Sequence, residues 1–321
     1  MDFFSQLFAL DQLAILVAII VIIALVFDFV NGMNDAANSV ATIVGTGVLS
    51  PRAAVAWAAF FNFAAYGIFG VHVANTIGKG IVHADIMLND PWFIMTSLLG
   101  AIIWAIFCTL KGWPISISHA LIGGLVGSAL FKGGIAAIII SKIFTILIFI
   151  ILAPLMGFVI GYIFMIITLY IVRGQSPLKV DGFFRVMQLV SSAAFSLGHG
   201  GNDAQKTMGI IAVLLFSTGY LGSEFYVPTW VVFSAYTCIS LGTLIGGWKV
   251  IRTLGVKLTD LKPIHGFCAE TAGALTLFGV TFAGIPVSTT HTITGSIMGV
   301  GVTRRLSAVK WGVAKHIVGA W

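Results

Sequence analysis

The sequence predicts an all-α polytopic membrane protein: two inverted-topology repeats with discontinuous or re-entrant helices, roughly nine to twelve membrane segments in all. Three observations carry this. Of the 321 residues, 59% are hydrophobic and only 9% are charged, and the mean hydropathy is +1.06. Apolar runs close to the length of a membrane span recur along the chain. Two short polar motifs each occur twice, in the same order. An ordinary soluble domain has roughly 25% charged residues, so soluble, disordered and nucleic-acid-binding classes are excluded.

A spanning helix needs about 20 apolar residues. Such runs lie at 13–31, 53–72, 92–111, 133–152, 153–172, 186–200, 203–221, 228–247 and 264–283. The runs at 34–49, 113–131 and 285–302 are shorter or rich in Gly, Ser and Thr, which predicts broken or re-entrant helices. No alternation of period two is sustained, against a β-barrel. The first ten residues carry Asp2 and no basic residue, with no small-x-small cleavage site after them. The run at 13–30 therefore reads as a retained span, not a signal peptide.

The net charge of +6 is concentrated in loops. Residues 173–185 carry Arg173, Lys179 and Arg185; 248–262 carry Lys249, Arg252, Lys257 and Lys262; 303–315 carry Arg304, Arg305, Lys310 and Lys315. Basic loops favour the cytoplasmic side. The loop at 73–91, with Lys79, His83, Asp85 and Asp90, is more balanced and is expected outside. Cys108, Cys238 and Cys268 lie in apolar runs and show neither metal spacing nor a disulfide framework.

The internal repeat is the most informative feature. Phe29-Val-Asn-Gly-Met-Asn-Asp-Ala-Ala-Asn-Ser39 recurs as Leu197-Gly-His-Gly-Gly-Asn-Asp-Ala-Gln-Lys-Thr207, an offset of 168. Trp113-Pro-Ile-Ser-Ile-Ser-His119 recurs as Ile285-Pro-Val-Ser-Thr-Thr-His291, an offset of 172, and Gly123 and Gly127 then meet Gly295 and Gly299. Interrupted segments at matching places in two halves point to a transporter site. The predicted units are a first transmembrane repeat at 1–172, a short cytoplasmic linker at 173–185 and a second repeat at 186–321.

Asn34-Asp35 and Asn202-Asp203 stand in apolar surroundings. A carboxylate in the hydrocarbon region costs at least about 2.5–3.5 kcal/mol, so two at equivalent positions imply use. Gly32 and Gly200-Gly201 precede them, which predicts local unwinding and backbone carbonyls freed as cation ligands. Helix capping by the two Asp is the structural alternative. Hard cations such as sodium favour oxygen ligands.

The second motif places Pro114, Ser116, Ser118 and His119 opposite Pro286, Ser288, Thr290 and His291. Proline suits a first helical turn and Ser or Thr its cap, so each copy reads as the start of a half-helix and hence as an anion site. The alternative is hydroxyls bonded back to helix carbonyls. His119 and His291 are equivalent, whereas His199 aligns with Asn31 and has no counterpart. Glu270 falls opposite Leu98 and is the asymmetric acid, expected to carry a proton, ligate a cation or make an interhelical hydrogen bond. Asp28 lies inside the first span.

Gly-x-Asn-Asp-Ala-x-Asn after a first apolar span, with Pro-x-Ser-x-Thr-His near the end, resembles the PiT family of inorganic phosphate transporters. The resemblance covers nearly the whole chain. It implies secondary transport of inorganic phosphate in symport with sodium or protons, no enzyme chemistry, no cofactor, a homodimer, and a multi-pass protein of the inner cell membrane. By resemblance Asn34, Asp35, Asn202, Asp203 and Glu270 serve cation coupling, with Asp35 and Asp203 holding sodium if sodium is the ion. Ser116, Ser118, Ser288, Thr289 and Thr290 hold the phosphate. Three departures stand out: Lys206 replaces the Asn that the first copy has at Asn38; Asn62 stands where some members have Glu; and the chain stops at Trp321, where the family pattern continues into a final apolar helix. The lack of a large central insertion fits a prokaryotic type.

Two other functions fit parts of the pattern. One is a sulfate permease on the same scaffold; an acceptor facing the anion favours protonated phosphate over sulfate. The other is an intramembrane aspartyl protease using Asp35 and Asp203 as a dyad. Against it, both Asp follow Asn, and the Ser/Thr motifs would have no role. A Ser118-His119 dyad is disfavoured because neighbouring residues point in different directions on a helix.

Overall fold

In chain order the helices are α1 (Phe3–Gly45), α2 (Pro51–Ala64), α3 (His72–Gly78), α4 (Pro91–Lys111), α5 (Ile117–Gly133) and α6 (Ile140–Val172). They continue as α7 (Pro177–Ser217), α8 (Thr229–Ile245), α9 (Trp248–Arg252), α10 (Pro263–Phe282), α11 (Thr289–Val302) and α12 (Trp311–Ala320). This computed structural model describes residues 3–78 and 90–321; Lys79, His83 and Asp85 lie outside the described residues. Among the described residues there is no strand.

Three of the described helices are long and apolar enough to cross a membrane alone: Gln12–Gly45 within α1, then α4 and α6. α8 and the turn Trp248–Lys257, bent by 65°, together have the length and composition of a fourth, either as a broken span or as a re-entrant loop. On α6, Phe144, Ile148, Ile151, Ile163 and Ile171 are exposed. A continuous apolar surface of that kind requires lipid, so the chain is a membrane protein. At the other extreme, every residue of α7 from Gly198 to Leu215 is buried, which puts the second Asn-Asp motif at the centre of the molecule.

The expected breaks at Gly32 and at Gly200-Gly201 are not there. α1 runs unbroken for 43 residues and absorbs most of the segment 34–49, and α7 runs for 41 and joins the two expected spans 186–200 and 203–221. These glycines permit close helix contact instead. A Cβ on Gly32 would lie 2.0 Å from the Ile239 carbonyl oxygen, and one on Gly200 would lie 2.6 Å from that of Asn62. Small residues at such crossings let backbones approach, and dispersion then holds the pair together. The sequence signal for unwinding and the signal for close packing are the same residue, Gly.

Three further boundaries differ. The runs 133–152 and 153–172 form one helix, α6, with Pro154 inside it. The basic stretch 173–185 is mostly helical, because Pro177 starts α7 with Ser176 before it and leaves only 173–176 as connection. Residues 248–257 are the short helix α9 and a π-turn rather than open loop.

The half-helix starts are found where expected. Ser116 caps α5 and Ser288 caps α11, each Oγ accepting from the backbone N–H three residues on, at 3.2 Å. Pro114 and Pro286 sit two residues before these caps, not in the first turn.

α11 packs on α6 with its glycines against backbone. A Cβ on Gly295 would lie 2.1 Å from the Pro154 carbonyl oxygen, and one on Gly299 2.1 Å from that of Phe158. The aligned Gly123 on α5 has nothing within 4 Å. Gly295→Ala is therefore expected to cost about 1–3 kcal/mol or more by overpacking. Gly123→Ala is expected to leave stability unchanged or raise it by about 0.5–1 kcal/mol. Thermal unfolding of the two variants in detergent checks this; equal shifts would contradict the packing.

Candidate functional site

On α1, Asp28, Asn31, Asp35, Asn38 and Thr42 recur every three or four residues and so share one face. All five are buried. That face meets the middle of α7 and the starts of α5 and α11. Thr289 Oγ1 lies 3.1 Å from Asp203 Oδ2 and 3.5 Å from Asp35 Oδ2, so one hydroxyl bridges the two carboxylates. Thr290 Oγ1 donates to the Ile115 carbonyl at 2.9 Å and lies 3.4 Å from Asp35 Oδ1. Asn38 Nδ2 donates to Thr290 Oγ1 at 2.9 Å and to Thr289 Oγ1 at 3.2 Å.

Lys206 enters the same cluster. Its Nζ donates to Ser118 Oγ at 2.6 Å, to the Val287 carbonyl at 2.9 Å, and to Asp203 Oδ1. His199 Nε2 lies 3.4 Å from Asp203 Oδ2, and its Nδ1 lies 3.1 Å from Asn62 Oδ1. Ligand atoms of Asp35, His199 and Asp203 all fall within 4.8 Å of one another, close enough to share a cation. When both carboxylates are ionised, the single ammonium leaves one negative charge unmet in a buried place. A charge of that sign in a buried place favours a cation or a proton.

Aligned residues of the two motifs make matching bonds. Asn34 Nδ2 donates to Thr109 Oγ1 at 2.6 Å, and Asn202 Nδ2 donates to Thr281 Oγ1 at 2.9 Å. Asn38 reaches Thr290, while its aligned residue Lys206 reaches Ser118, the residue aligned with Thr290. Each Asn-Asp helix thus grips the half-helix start carried by the other half of the chain. The remaining first-turn N–H groups of α5 and α11 have no partner within their helices, which suits an anion.

Of the predicted site residues, Asp35, Asp203, Ser118, Thr289 and Thr290 come together. Asn34 and Asn202 flank them and are turned towards threonines of α4 and α10. Ser116 and Ser288 spend their oxygens as caps. Glu270 lies apart, two turns of α1 away at Thr42. Its Oε1 accepts from Thr42 Oγ1 at 2.5 Å and from Gln188 Nε2 at 3.1 Å, and its Oε2 accepts from Ser191 Oγ at 2.5 Å. Asn62 is bonded to His199 and Thr243, not to Glu270. Asp28 accepts from Thr207 Oγ1 at 2.9 Å.

Reasoning on motifs missed Asn38, His199 and Lys206 as members of the cluster, and Thr42, Gln188 and Ser191 as the partners of Glu270. The available signal was helical spacing: Asp35, Asn38 and Thr42 fall on one face, as do Gln188, Ser191 and Ser192. His119 and His291 pack side by side behind the two helix starts, ring centres 4.9 Å apart, and Trp321 stacks on His291 at 3.8 Å. A cavity of about 370 Å³ opens beside Ser116 and His119.

The phosphate transporter family model matches residues 31–321. A probable low-affinity inorganic phosphate transporter of Rhizobium meliloti is 56% identical over 302 residues, covering 94% of this chain and 90% of that protein. Its namesake in Bacillus subtilis is 43% identical over 312 residues, covering 97% and 93%. A solved structure described as the sodium-dependent phosphate transporter superposes with a TM-score of 0.83 at 27% identity, covering 95% of this chain and 94% of that one.

Proposed function

Because this chain belongs to the phosphate transporter family, we propose that it carries inorganic phosphate across the inner cell membrane, coupled to sodium or protons. Its relatives are transporters and not enzymes, which overturns the intramembrane protease alternative. The observation that carries the reading is the meeting of two hydroxyl-bearing helix starts with Asp35, Asp203 and Lys206 in one buried cluster.

In this mechanism a sodium ion or proton meets the uncompensated negative charge at Asp35 and Asp203. Phosphate then binds through Ser118, Thr289, Thr290 and the first-turn N–H groups of α5 and α11. Ser116 and Ser288 hold those turns in shape. The matching bonds of Asn34 and Asn202, and of Asn38 and Lys206, support a reading of 1–172 and 186–321 as two inverted repeats joined at 173–185. Each half carries one Asn-Asp helix and one helix start, and movement of one half against the other gives alternating access. Two chains pair as a homodimer, as the resemblance implies.

Uptake of radiolabelled phosphate into proteoliposomes tests this, with and without a sodium gradient and a pH gradient, and with sulfate as competitor. Gradient-driven phosphate accumulation is expected. Accumulation of sulfate in preference to phosphate would transfer the reading to a sulfate permease.

Glu270 gives a sharper prediction. Thr42 and Gln188 donate to one oxygen and the Ser191 hydroxyl, which can turn to accept, faces the other, so Glu270→Gln keeps these bonds without the charge and costs about 0.5–1.5 kcal/mol of stability. Because Thr42 links it to the face that carries Asp35, the variant is expected to shift the sodium or pH dependence of uptake while phosphate still binds. Parental sodium and pH profiles in the variant would leave Glu270 only its hydrogen-bonding role.

A further inference from the structure

Lys206 stands out because it is a cation already in place. Its Nζ is surrounded by Asp203 Oδ1, Ser118 Oγ at 2.6 Å and the Val287 carbonyl oxygen at 2.9 Å. A carboxylate, a hydroxyl and a backbone carbonyl are the ligand set of a hard monovalent cation. The side chain is 3% exposed and its carboxylate partner 1%, so the ammonium is a fixed part of the cluster.

The other half offers the same three oxygens without the ammonium. By the repeat alignment Asp203, Ser118 and Val287 correspond to Asp35, Thr290 and Ile115. Thr290 lies 3.4 Å from Asp35 Oδ1 and 2.9 Å from the Ile115 carbonyl, so these three groups are also brought together. The residue aligned with Lys206 is Asn38, whose neutral amide reaches Thr290 at 2.9 Å. Asp35 thus meets hydroxyls at 3.4 and 3.5 Å and the Asp203 carboxylate, but no ammonium in hydrogen-bond contact, where Asp203 is paired directly with Lys206.

We propose that the Lys206 ammonium is a tethered cation that permanently fills one of two repeat-related cation positions, leaving only the Asp35 position for a diffusible one. This rests on the transport reading above and adds its stoichiometry: the carrier moves one fewer cation per phosphate than the same scaffold with two open positions. Lys206 also keeps the Asp203 charge neutralised at every stage of the cycle, so phosphate binding needs only one ion to arrive first.

The test measures charge moved per phosphate, which does not depend on whether the ion is sodium or a proton. The full-length protein is reconstituted in proteoliposomes, and the membrane potential that just halts net phosphate flux is found at several imposed phosphate gradients. Lys206→Asn, which turns the second motif into the first, is expected to raise the ratio by one elementary charge. Asn38→Lys, which fills the open position, is expected to lower it by one, so the outcome does not hang on one variant being stable. A parental ratio in either variant, once monodisperse in detergent and able to bind phosphate, overturns the proposal. A parent protein that moves no phosphate would instead remove the transport reading, and this inference with it.

Discussion

Asp35→Asn is expected to abolish gradient-driven phosphate uptake while leaving the protein folded. The substitution keeps the shape and removes a carboxylate beside Asp203 that has no ammonium in hydrogen-bond contact. Its partners are hydroxyls at 3.4 and 3.5 Å, so little native bonding is lost. Without that charge the diffusible cation has no counter-ion in a buried site, and coupling fails. Asp203→Asn is expected to abolish uptake as well, with a second consequence. Lys206 would be left buried without its carboxylate, and breaking a buried pair costs about 3–5 kcal/mol. The two variants should therefore separate: both inactive, but only Asp203→Asn markedly less stable on heating in detergent. An Asp35→Asn protein that concentrates phosphate as well as its parent would reduce Asp35 to a structural residue.

Thr290→Val has the next largest expected effect. Valine fills the same space but removes the hydroxyl that links Asn38, Asp35 and the Ile115 carbonyl. Hydrogen bonds to a charged group are worth about 1.5–3 kcal/mol, and each 1.4 kcal/mol is tenfold, so apparent phosphate affinity is expected to fall about ten- to hundredfold. Ser118→Ala should act in the same direction through the opposite helix start. Ser288→Ala makes the contrast: its Oγ caps α11 by accepting from the His291 N–H, so it should cost about 1 kcal/mol of stability and change affinity less. Half-maximal phosphate concentrations for uptake, measured on the three variants, decide it. An unchanged value in folded Thr290→Val would remove this hydroxyl from the anion site.

Much of the site was legible in the sequence. The composition required lipid around the chain, because 9% charged residues cannot cover a soluble surface. The Ser-x-Ser/Thr-His motifs marked helix starts correctly, because capping is a local matter between a hydroxyl and an N–H three residues on. The repeat placed Asp35 opposite Asp203 and set Lys206 apart from Asn38, and those alignments reappear as bonds between the halves.

Other features depended on contacts that no local pattern encodes. Gly32 and Gly200 looked like breaks, yet both sit within unbroken helices, since what a glycine permits is decided by the backbone packed against it. Glu270 could be seen as an unusual acid, but its setting came from Thr42, Gln188 and Ser191 on two other helices. Sequence alone determined that this protein lives in a membrane, that its chemistry is duplicated, and which polar residues carry it, because burying a polar or charged group in an apolar run is costly enough to mark its position. Only the tertiary structure decided which of those groups meet. The Asp203–Lys206 pair is local, three residues apart on one helix, but its meeting with Ser118, Thr289 and Asp35 was decided by helices from distant parts of the chain, which set the distances over which charges compensate one another.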